Sequence, residues 1–564
     1  MTIFKNSLIF LLFSFCSAYN DIFNEELLLN PLPNGHIYTY FQFTTKWEAN
    51  LKDAQHSHLF PRALAEILNQ YHVREFHISM TQGLWRHEYW GYPVIDAPPG
   101  AEVWAWFEND VGNVDLNWKR LMDTLSGLFC ASLNFIDGTN SVIPEFSFRP
   151  EGVVPDKHFN KSNVRYASLP REVVCTENLT PWKKMLPCEA KRGFASLLNA
   201  AQIHNTRYHS LGLHIRPVCS NKQCTSSSLE IRQTVSLVYD PALMPTKRDW
   251  SFRYLFGQGL LNTCVLANSS IVYVDITHNF TNTFKVTPEP TKIEESSRGG
   301  FKRTYAVYDL TGNTDQVFSI SSKLKGEPKI IPNSPPPLYA NRYLVGYGQE
   351  KGGIATRIHN NHWKELNIIY FEQIPWYIEI YLHTLQIESN GKIIQPSIIR
   401  YIPGQTRERP YYIEIGMTLP ARSITTISVK FNYVFLKWQE YPPDANHGFY
   451  IGSAVITSAL PLAKNYTGIP IDGSLIADSF NASRQTYPIR FYTEILLVSL
   501  PTPDFSMPYN VVCLACTVIA LAFGPLHNIT TKRLQRKKIE DVRKNIISTC
   551  LEKLKNFISR IEQP

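Results

Sequence analysis

Cysteine is the residue type with the clearest chemistry in this sequence, because its thiol forms disulfides, binds metals and acts as a nucleophile. Six of the 10 cysteines lie in the large middle part of the chain. They are Cys130, Cys175, Cys188, Cys219, Cys224 and Cys264. The spacing of Cys219 and Cys224 suits a small disulfide loop. The other pairings stay open, because six cysteines can pair in many ways and the sequence does not choose among them.

Established catalytic motifs are absent from the sequence, which has no HExxH, Walker loop or GxSxG. His204, His209 and His214 share no metal-ligand spacing with acids or cysteines. A lone cysteine and a distant histidine could form a thiol hydrolase pair, but sequence alone does not bring two such residues together. Cys513 and Cys516 have CxxC spacing within an apolar run, where we interpret them as small packing residues. We therefore predict no catalytic residue, no metal and no cofactor.

An uncharged run from Val511 to Leu526 predicts a transmembrane helix, which we place at residues 506–527. A helix needs roughly 20 apolar residues to cross about 30 Å of hydrocarbon, and Tyr509 can extend the span into the headgroup layer. The basic residues that follow mark the cytoplasmic side and argue against the alternative of a buried core helix. They are Lys532, Arg533, Arg536, Lys537 and Lys538.

The segment 1–18 has the order of a secretory signal peptide. Lys5 precedes an apolar run from Leu8 to Phe15, and small residues end the segment at Ala18. A signal peptide and one late span predict a type I membrane protein, most of which is lumenal or extracellular. Disulfides are expected in that compartment.

Composition indicates several folded, β-rich domains with many turns, since the 564 residues include 44% hydrophobic, 18% charged and 13% aromatic residues and 37 prolines. The formal charge is +8, but residues 528–564 hold ten basic and four acidic side chains. The lumenal part is therefore near neutral, and nucleic acid is not expected as a partner. In the tail, apolar residues recur at spacings of three and four. This pattern favours a helix on the cytoplasmic leaflet or on a partner over a solvated helix.

Hydrophobic patterning predicts a mainly β fold with some α. We place a mixed α/β domain at residues 19–285, a linker with connecting strands at 286–340, and an antiparallel β-sandwich at 341–505. The linker prediction rests on the polar stretch 284–300. The aromatic-rich stretch 368–387 is predicted to form one long strand or a strand pair.

Within the first domain, residues 36–46 read as a strand rich in β-branched and aromatic side chains. Phe60 and Pro61 precede a helical pattern, and Asp115 is expected to cap a second helix. Four tryptophans between these two helical segments are predicted to belong to the core rather than to a ligand cage. They are Trp85, Trp90, Trp104 and Trp106.

Six Asn-x-Ser/Thr triplets fall in the part predicted to be lumenal, which makes them candidate glycosylation sites. They are Asn160, Asn178, Asn268, Asn279, Asn465 and Asn481.

Five stretches of the chain resemble the PIG-T family, a non-catalytic subunit of the GPI transamidase. They are Gln82 to Gly91, Cys130 to Asp137, Tyr166 to Cys188, Asn446 to Tyr450, and Pro501 to Asn510. They extend from the first domain to the span, so the resemblance covers nearly all of the chain before the tail.

The resemblance implies membership of a complex in the endoplasmic reticulum membrane. This complex removes a C-terminal signal from a proprotein and joins the new carboxyl end to the ethanolamine amine of a GPI lipid. The catalytic cysteine would lie on a caspase-like PIG-K subunit, with the GPI-anchor attachment protein, PIG-S and PIG-U as further partners. The family pattern implies a disulfide from Cys175 to the PIG-K-like subunit, with an internal Cys175–Cys188 bond as the alternative. If Cys175 pairs between chains, at least one other lumenal cysteine is unpaired, and Cys130 in an apolar helix is our candidate.

The likeness also implies that Asn446, Asp504 and Ser506 contact the GPI glycan. A carboxylate can accept hydrogen bonds from an ammonium or a sugar hydroxyl, and a serine can donate one. Prolines near Asp504 stiffen this approach to the membrane and reduce the entropy lost on binding. The alternative is a structural turn beside the membrane.

Two other classes of protein fit the same topology. A cell-surface receptor or adhesion ectodomain predicts a plasma-membrane location and processed glycans, whereas the transamidase hypothesis predicts retention in the endoplasmic reticulum and immature glycans. A standalone lumenal hydrolase predicts activity from the purified chain.

Overall fold

The computed structural model of this protein describes most of the chain, and every structural statement below refers to that part. The described residues are 21–32, 34–47, 59–151, 160–189, 191–219, 227–240, 249–277, 284–298, 301–312, 317–324, 335–346, 351–442, 444–461, 475–476, 486–502, 506–533 and 539–561. The predicted signal peptide lies outside these residues.

Strands dominate the described part of the chain. Their bounds are β1 Ile22–Pro31, β2 Ile37–Trp47, β3 Val73–Gln82, β4 Gly100–Phe107, β5 Ser141–Val142, β6 Val164–Leu169, β7 Tyr208–Cys219, β8 Ser227–Tyr239, β9 Trp250–Ser251, β10 Ser269–Asp275, β11 Phe284–Thr287, β12 Lys292–Arg298, β13 Phe301–Asp309, β14 Ser321–Leu324, β15 Leu338–Val345, β16 Lys351–Asn360, β17 Leu366–Ile374, β18 Ile378–Ser389, β19 Lys392–Ile393, β20 Ile398–Ile402, β21 Tyr411–Leu419, β22 Ser423–Tyr433, β23 Phe449–Ile451, β24 Val455–Pro461, β25 Thr486–Tyr492 and β26 Leu496–Val498.

The helices are fewer and cluster in the first domain and at the C-terminal end. Their bounds are α1 Arg62–Gln70, α2 His87–Trp90, α3 Val114–Phe129, α4 Thr176–Lys184, α5 Ala200–His204, α6 Phe252–Phe256, α7 Ser506–Thr531 and α8 Ile539–Ile561. Asn113, and not the predicted Asp115, caps α3, because its Oδ1 accepts from the amide of Leu116 at 3.0 Å. Asp115 instead accepts from Arg165 Nε at 2.6 Å.

Eleven strands form the large sheet of the first domain, in the order β12-β13-β10-β1-β2-β8-β7-β3-β4-β6-β5. Neighbours pair antiparallel except β1 and β10, which run parallel. One face, the helix face, carries alternate apolar side chains such as Phe41 and Phe76 and packs against α1, α3 and α4. The opposite face, the junction face, carries polar and aromatic side chains such as His77 and Trp104. Both faces of β4 are buried, as the alternation of Val103 and Phe107 with Trp104 and Trp106 predicts.

The second domain is a β-sandwich of two five-stranded sheets, as predicted. Their orders are β15-β16-β22-β18-β19 and β20-β21-β17-β24-β25. Both sheets contribute to one apolar core, which includes Ile358 and Ile427 from one sheet and Tyr370 and Ile415 from the other. The stretch 368–387 is a strand pair split between the two sheets, because β17 joins one and β18 the other.

The predicted linker at 286–340 contains regular strands. β12 and β13 complete one edge of the large sheet, and β15 opens the sandwich. The polar composition of β12 has a physical reason, since an edge strand at the surface needs no continuous apolar face.

The C-terminal segment from residue 502, together with residues 437–442, forms a separate unit. Its helix α7 includes a stretch from Tyr509 to Thr531 with mean hydropathy 1.9 and no buried part, which is long and apolar enough to cross a membrane. Pro525 lies inside this helix. The following helix, α8, is 23 residues long.

Candidate partner-binding site

Cys175 occupies the position just before α4, with its backbone still extended. It forms no disulfide within the described part of the chain, and it is half-buried. Its amide donates to Asn178 Oδ1 at 2.8 Å, and its Sγ lies 3.3 Å from the same oxygen. One amide oxygen therefore holds both the backbone and the thiol of Cys175 at the start of the helix.

The same Asn178 side chain connects α4 to the end of α3. Its Nδ2 donates to the carbonyl oxygens of Phe129 at 2.9 Å and Cys130 at 3.0 Å. Cys130 ends α3 in a left-handed conformation with φ 51°, and it is exposed and unpaired. An unpaired Cys130 in an apolar helix is predicted only for the case that Cys175 bonds to another chain. Within the described residues Cys130 is free, and it lies at the end of its helix. Cys175 is thus fixed to two helices of a packed domain.

Two exposed apolar side chains lie in the segment before this thiol and in a second segment that is hydrogen-bonded to the first. Val173, two residues before Cys175, is 70% exposed, and Phe135 is 69% exposed. The two segments are joined where Glu172 Oε1 accepts from the amide of Ser132 at 2.8 Å. Large apolar side chains left in solvent beside an unpaired thiol are typical of a surface that another protein covers.

Cys188, at the other end of α4, pairs with Cys264, with their Cα atoms 5.9 Å apart. The alternative of an internal Cys175–Cys188 bond is therefore wrong. Between the two cysteines, Trp182 is fully buried and its indole donates to the carbonyl oxygen of Gly212 at 3.0 Å. Cys219 is disulfide-bonded, while its predicted partner, Cys224, lies outside the described residues.

The predicted glycan-contact residues are only partly described. Asn446 is exposed in a short 3-10 turn, where its amide donates to Asp444 Oδ1 at 3.1 Å. Gly448 follows with φ 85°, and a side chain there would lie 2.6 Å from the carbonyl oxygen of Val498. This close approach lets β23 pair with β26, so the turn is fixed to the strand that leads towards the span. Ser506 begins α7, and Asp504 lies outside the described residues.

The candidate glycosylation sites differ in access. Asn160 and Asn268 are exposed. Asn178 is 1% exposed and its Nδ2 already donates two hydrogen bonds, so a glycan there requires the link between α3 and α4 to break. Asn279, Asn465 and Asn481 lie outside the described residues.

A cavity of about 270 Å³ lies between the junction face and the sandwich. His77, Glu102 and His214 line it from the sheet, and Arg490 lines it from β25. Burial raises the pKa of Glu102 to about 7 and lowers that of His214 to about 3. His214 is therefore uncharged near neutral pH, whereas Glu102 changes its charge in that range, and Tyr492 Oη donates to Glu102 at 2.7 Å.

This cavity is not predictable from local sequence patterns, because its two sides lie hundreds of residues apart. One signal was present in β3, where Glu75, His77 and Ser79 alternate with apolar residues, as in a strand with one polar face. Among the described residues, no group of three or more His, Cys, Asp or Glu side chains is arranged to hold a metal ion.

The chain matches known proteins over nearly its whole length. The sequence profile described as "Gpi16 subunit, GPI transamidase component" matches residues 7–249 and 241–559. The mouse "GPI-anchor transamidase component PIGT" is 46% identical over 527 residues, covering 91% of this chain and 90% of that protein. The Saccharomyces cerevisiae "GPI transamidase component GPI16" is 32% identical over 583 residues, covering 91% and 88%.

A more distant relative, the Schizosaccharomyces pombe "GPI transamidase component PIG-T homolog", is 28% identical over 563 residues and covers 95% of both chains. Among solved structures, the yeast delta-COP-I mu-homology domain matches with a TM-score of 0.18 and 11% identity, over 51% of this chain and 88% of that one. A likeness that weak carries no argument. The profile match and the curated relatives show that this chain belongs to the Gpi16 family of GPI transamidase components.

Proposed function

We infer that this chain is the non-catalytic scaffold subunit of a GPI transamidase in the endoplasmic reticulum membrane. It holds the catalytic, PIG-K-like subunit through a disulfide from Cys175 and helps to position the GPI lipid. The further partners are subunits like the GPI-anchor attachment protein, PIG-S and PIG-U. Most of the chain is lumenal and the tail is cytoplasmic, an orientation supported by the basic residues after the span.

The observation that carries the proposal is the state of Cys175. Buried cysteines without a functional role are usually inert, and exposed ones in an oxidising compartment usually pair. Within the described residues Cys175 is neither fully buried nor bonded to another cysteine, yet Asn178 holds it at a defined place. Val173, two residues away in sequence, and Phe135, in the segment that is bonded to Glu172, are exposed apolar side chains. This arrangement suits a bond to a second chain that also covers the apolar side chains.

A catalytic role is not supported by the surroundings of the thiol. A cysteine nucleophile needs a base, usually a histidine, within hydrogen-bonding distance. The described side-chain partner of the Cys175 thiol is an asparagine amide, which cannot take a proton. The chemistry of the complex is therefore assigned to a partner subunit.

The lipid-positioning part of the proposal rests on the turn at Asn446. The turn is exposed and fixed to β26, whose last residue Val498 precedes Asp504 by six positions in the sequence. Exposed polar groups on a rigid turn can bind a glycan with a small loss of conformational entropy. We include Asp504 and Ser506 in the same contact because the stretch from Pro501 to Asn510 resembles the family.

A non-reducing gel of the detergent-solubilised complex tests the tether. We expect a reductant-sensitive band that contains both this chain and the catalytic subunit. The band should be lost in Cys175→Ser and kept in Cys130→Ser, which alters the other unpaired lumenal cysteine described. An unchanged band in Cys175→Ser would refute the tether.

A second measurement tests lipid positioning. We expect Asn446→Ala and Asp504→Ala to reduce the GPI lipid that copurifies with an intact complex, whereas Glu388→Ala, an exposed site on the sandwich, should not. Equal lipid recovery in all variants would remove these residues from the site. No observation favours a cell-surface receptor, and glycans resistant to enzymes that remove high-mannose chains would count against retention in the endoplasmic reticulum.

A further inference from the structure

Helix α8 displays an apolar stripe that no described part of the chain covers. All described side chains from 545 to 557 are exposed. At about 100° per residue, six apolar side chains fall within an arc of about 140°. They are Ile546, Ile547, Cys550, Leu551, Leu554 and Phe557. Five of them are each more than half exposed: Ile546, Ile547, Leu551, Leu554 and Phe557.

Among the described side chains of α8, from 545 to 557, the charges lie outside that stripe. Lys553 and Lys555 fall on its two opposite borders, and Glu552 falls almost diametrically opposite its centre. A lysine at such a border can lay its alkyl chain along an apolar surface and keep its ammonium among lipid headgroups. An acid on the far side stays in water. This distribution matches an anionic lipid surface and is not required of a helix packed on a protein.

The chain also keeps α8 close to a membrane. Residues 532–538 connect the end of α7 to the start of α8, and five of these seven are Lys or Arg with no acid among them. A connection of this length reaches at most roughly 28 Å. Because α7 can span a bilayer, the first turn of α8 remains near its surface. The basic connection is itself attracted to anionic headgroups.

We propose that α8 lies flat on the anionic leaflet at the C-terminal end of α7. Its six-residue apolar stripe enters the boundary between headgroups and acyl chains, with Lys553 and Lys555 at headgroup level. This surface is separate from Cys175 and from the glycan-contact residues. The proposal depends on α7 spanning the membrane and not on which subunits the chain binds.

Hydrogen exchange on the full-length chain, without other subunits, tests this proposal. The protein is placed in nanodiscs that contain either phosphatidylcholine alone or phosphatidylcholine with phosphatidylserine. We expect amides of α8 to exchange at least about tenfold more slowly in the anionic discs, because each basic residue near an anionic surface contributes to binding.

Three variants distinguish the causes of protection. Lys553→Glu with Lys555→Glu should abolish the difference between the two lipids. Leu554→Glu should remove protection in both, while Glu552→Gln, on the far side, should leave it unchanged. The exchange rate of α7 amides in the same samples shows whether α7 of each variant is inserted in the disc.

Two outcomes would overturn the proposal. Equal protection of α8 in anionic and neutral discs would show that anionic lipid is not the occupant. Protection that is absent in discs and present in a lipid-depleted, detergent-solubilised complex would show that a partner protein covers the stripe instead.

Discussion

Both faces of the eleven-stranded sheet are buried, one by apolar packing and the other by polar contacts. On the helix face, side chains such as Phe43 and Ile215 pack against helices and need only matching volume. On the junction face, the same strands present Glu75, Glu102 and Arg216, whose side chains form hydrogen bonds there. Apolar packing tolerates small rotations, whereas buried hydrogen bonds have narrow geometry. The helix face therefore supplies stability, and the junction face sets how the two domains are oriented.

The characteristic contacts of the junction are buried carboxylates that accept hydrogen bonds from backbone amides. Glu414 of β21 is fully buried and accepts from the amides of Glu145 at 2.8 Å, Phe146 at 3.0 Å and Ser147 at 2.9 Å, all in the first domain. In the reverse direction, Glu26 of β1 accepts from the amides of Leu475 and Ile476, each at 2.9 Å. Each domain thus satisfies donors of the other.

The largest expected effect is on the helix face. Cys188→Ala opens a loop with a sequence separation of 76 residues. We expect a loss of about 4 kcal/mol in the free energy of unfolding, from the gain in chain entropy of the unfolded state. Chemical denaturation of the part of the chain before α7 measures it. Cys130→Ala, which removes an exposed and unpaired thiol, is the control and should change stability little. Equal losses of unfolding free energy in the two variants would mean that the Cys188–Cys264 bond does not stabilise the packing on the helix face.

A smaller but still large effect is expected at the junction. Glu414→Ala leaves buried amides without an acceptor, and we expect a loss of about 3 kcal/mol. Unlike Cys188→Ala, it should also let the domains separate, seen as faster proteolysis between them under native conditions. Glu388→Ala, on an exposed face of the sandwich, is the matched control. Loss of stability without faster cleavage would contradict the role of Glu414 in orientation.

The pH dependence separates the two faces further. Burial raises the pKa of Glu102 from 4.5 to about 7, so the folded state holds its proton more tightly than the unfolded chain. This contribution is fully present below pH 4.5 and is lost as pH rises through 7. Between about pH 6 and 8 we expect the folded state to lose about 1 kcal/mol, and Glu102→Gln should remove that slope. Unfolding curves of both proteins at several pH values test this prediction, and an unchanged slope in Glu102→Gln would contradict it.

The smallest expected change in stability is at Cys175 itself. Cys175→Ser keeps a group that can donate to Asn178, so we expect the isolated chain to lose less than about 1 kcal/mol. The contrast with Cys188→Ala, measured in the same assay, sharpens the distinction between a thiol that holds the fold and one that is available to a partner. A loss as large as that of Cys188→Ala would make Cys175 structural.

Local patterns predicted the elements that are regular and half-buried. The strand at 36–46 corresponds to β2, and the helical pattern after Pro61 corresponds to α1. The sandwich and the apolar C-terminal helix also follow from alternation and length. In each case the side chains that form the element are also the ones that bury it, so neighbours in sequence carry the information.

Contacts between distant segments were not predictable from the sequence. Nothing near Glu414 indicates that it binds amides 267 to 269 residues away. Cys188 and Cys264 come together only when the chain between them, which includes β7 and β8, has folded. The proposed role of Cys175 rests on family resemblance, because its hydrogen-bond partner Asn178 reads in the sequence only as a glycosylation triplet.

The Cys188–Cys264 disulfide has a consequence for how the protein is made. Cys175 and Cys188 leave the ribosome almost together, well before Cys264, so each is at first the nearest thiol available to the other. The folded chain nevertheless pairs Cys188 with Cys264 and leaves Cys175 without a bond in the described residues. Any early Cys175–Cys188 bond therefore has to be exchanged before Cys264 can take its place, and such reshuffling takes seconds to hours. The native pairing thus depends on thiol–disulfide exchange after Cys264 has been synthesised.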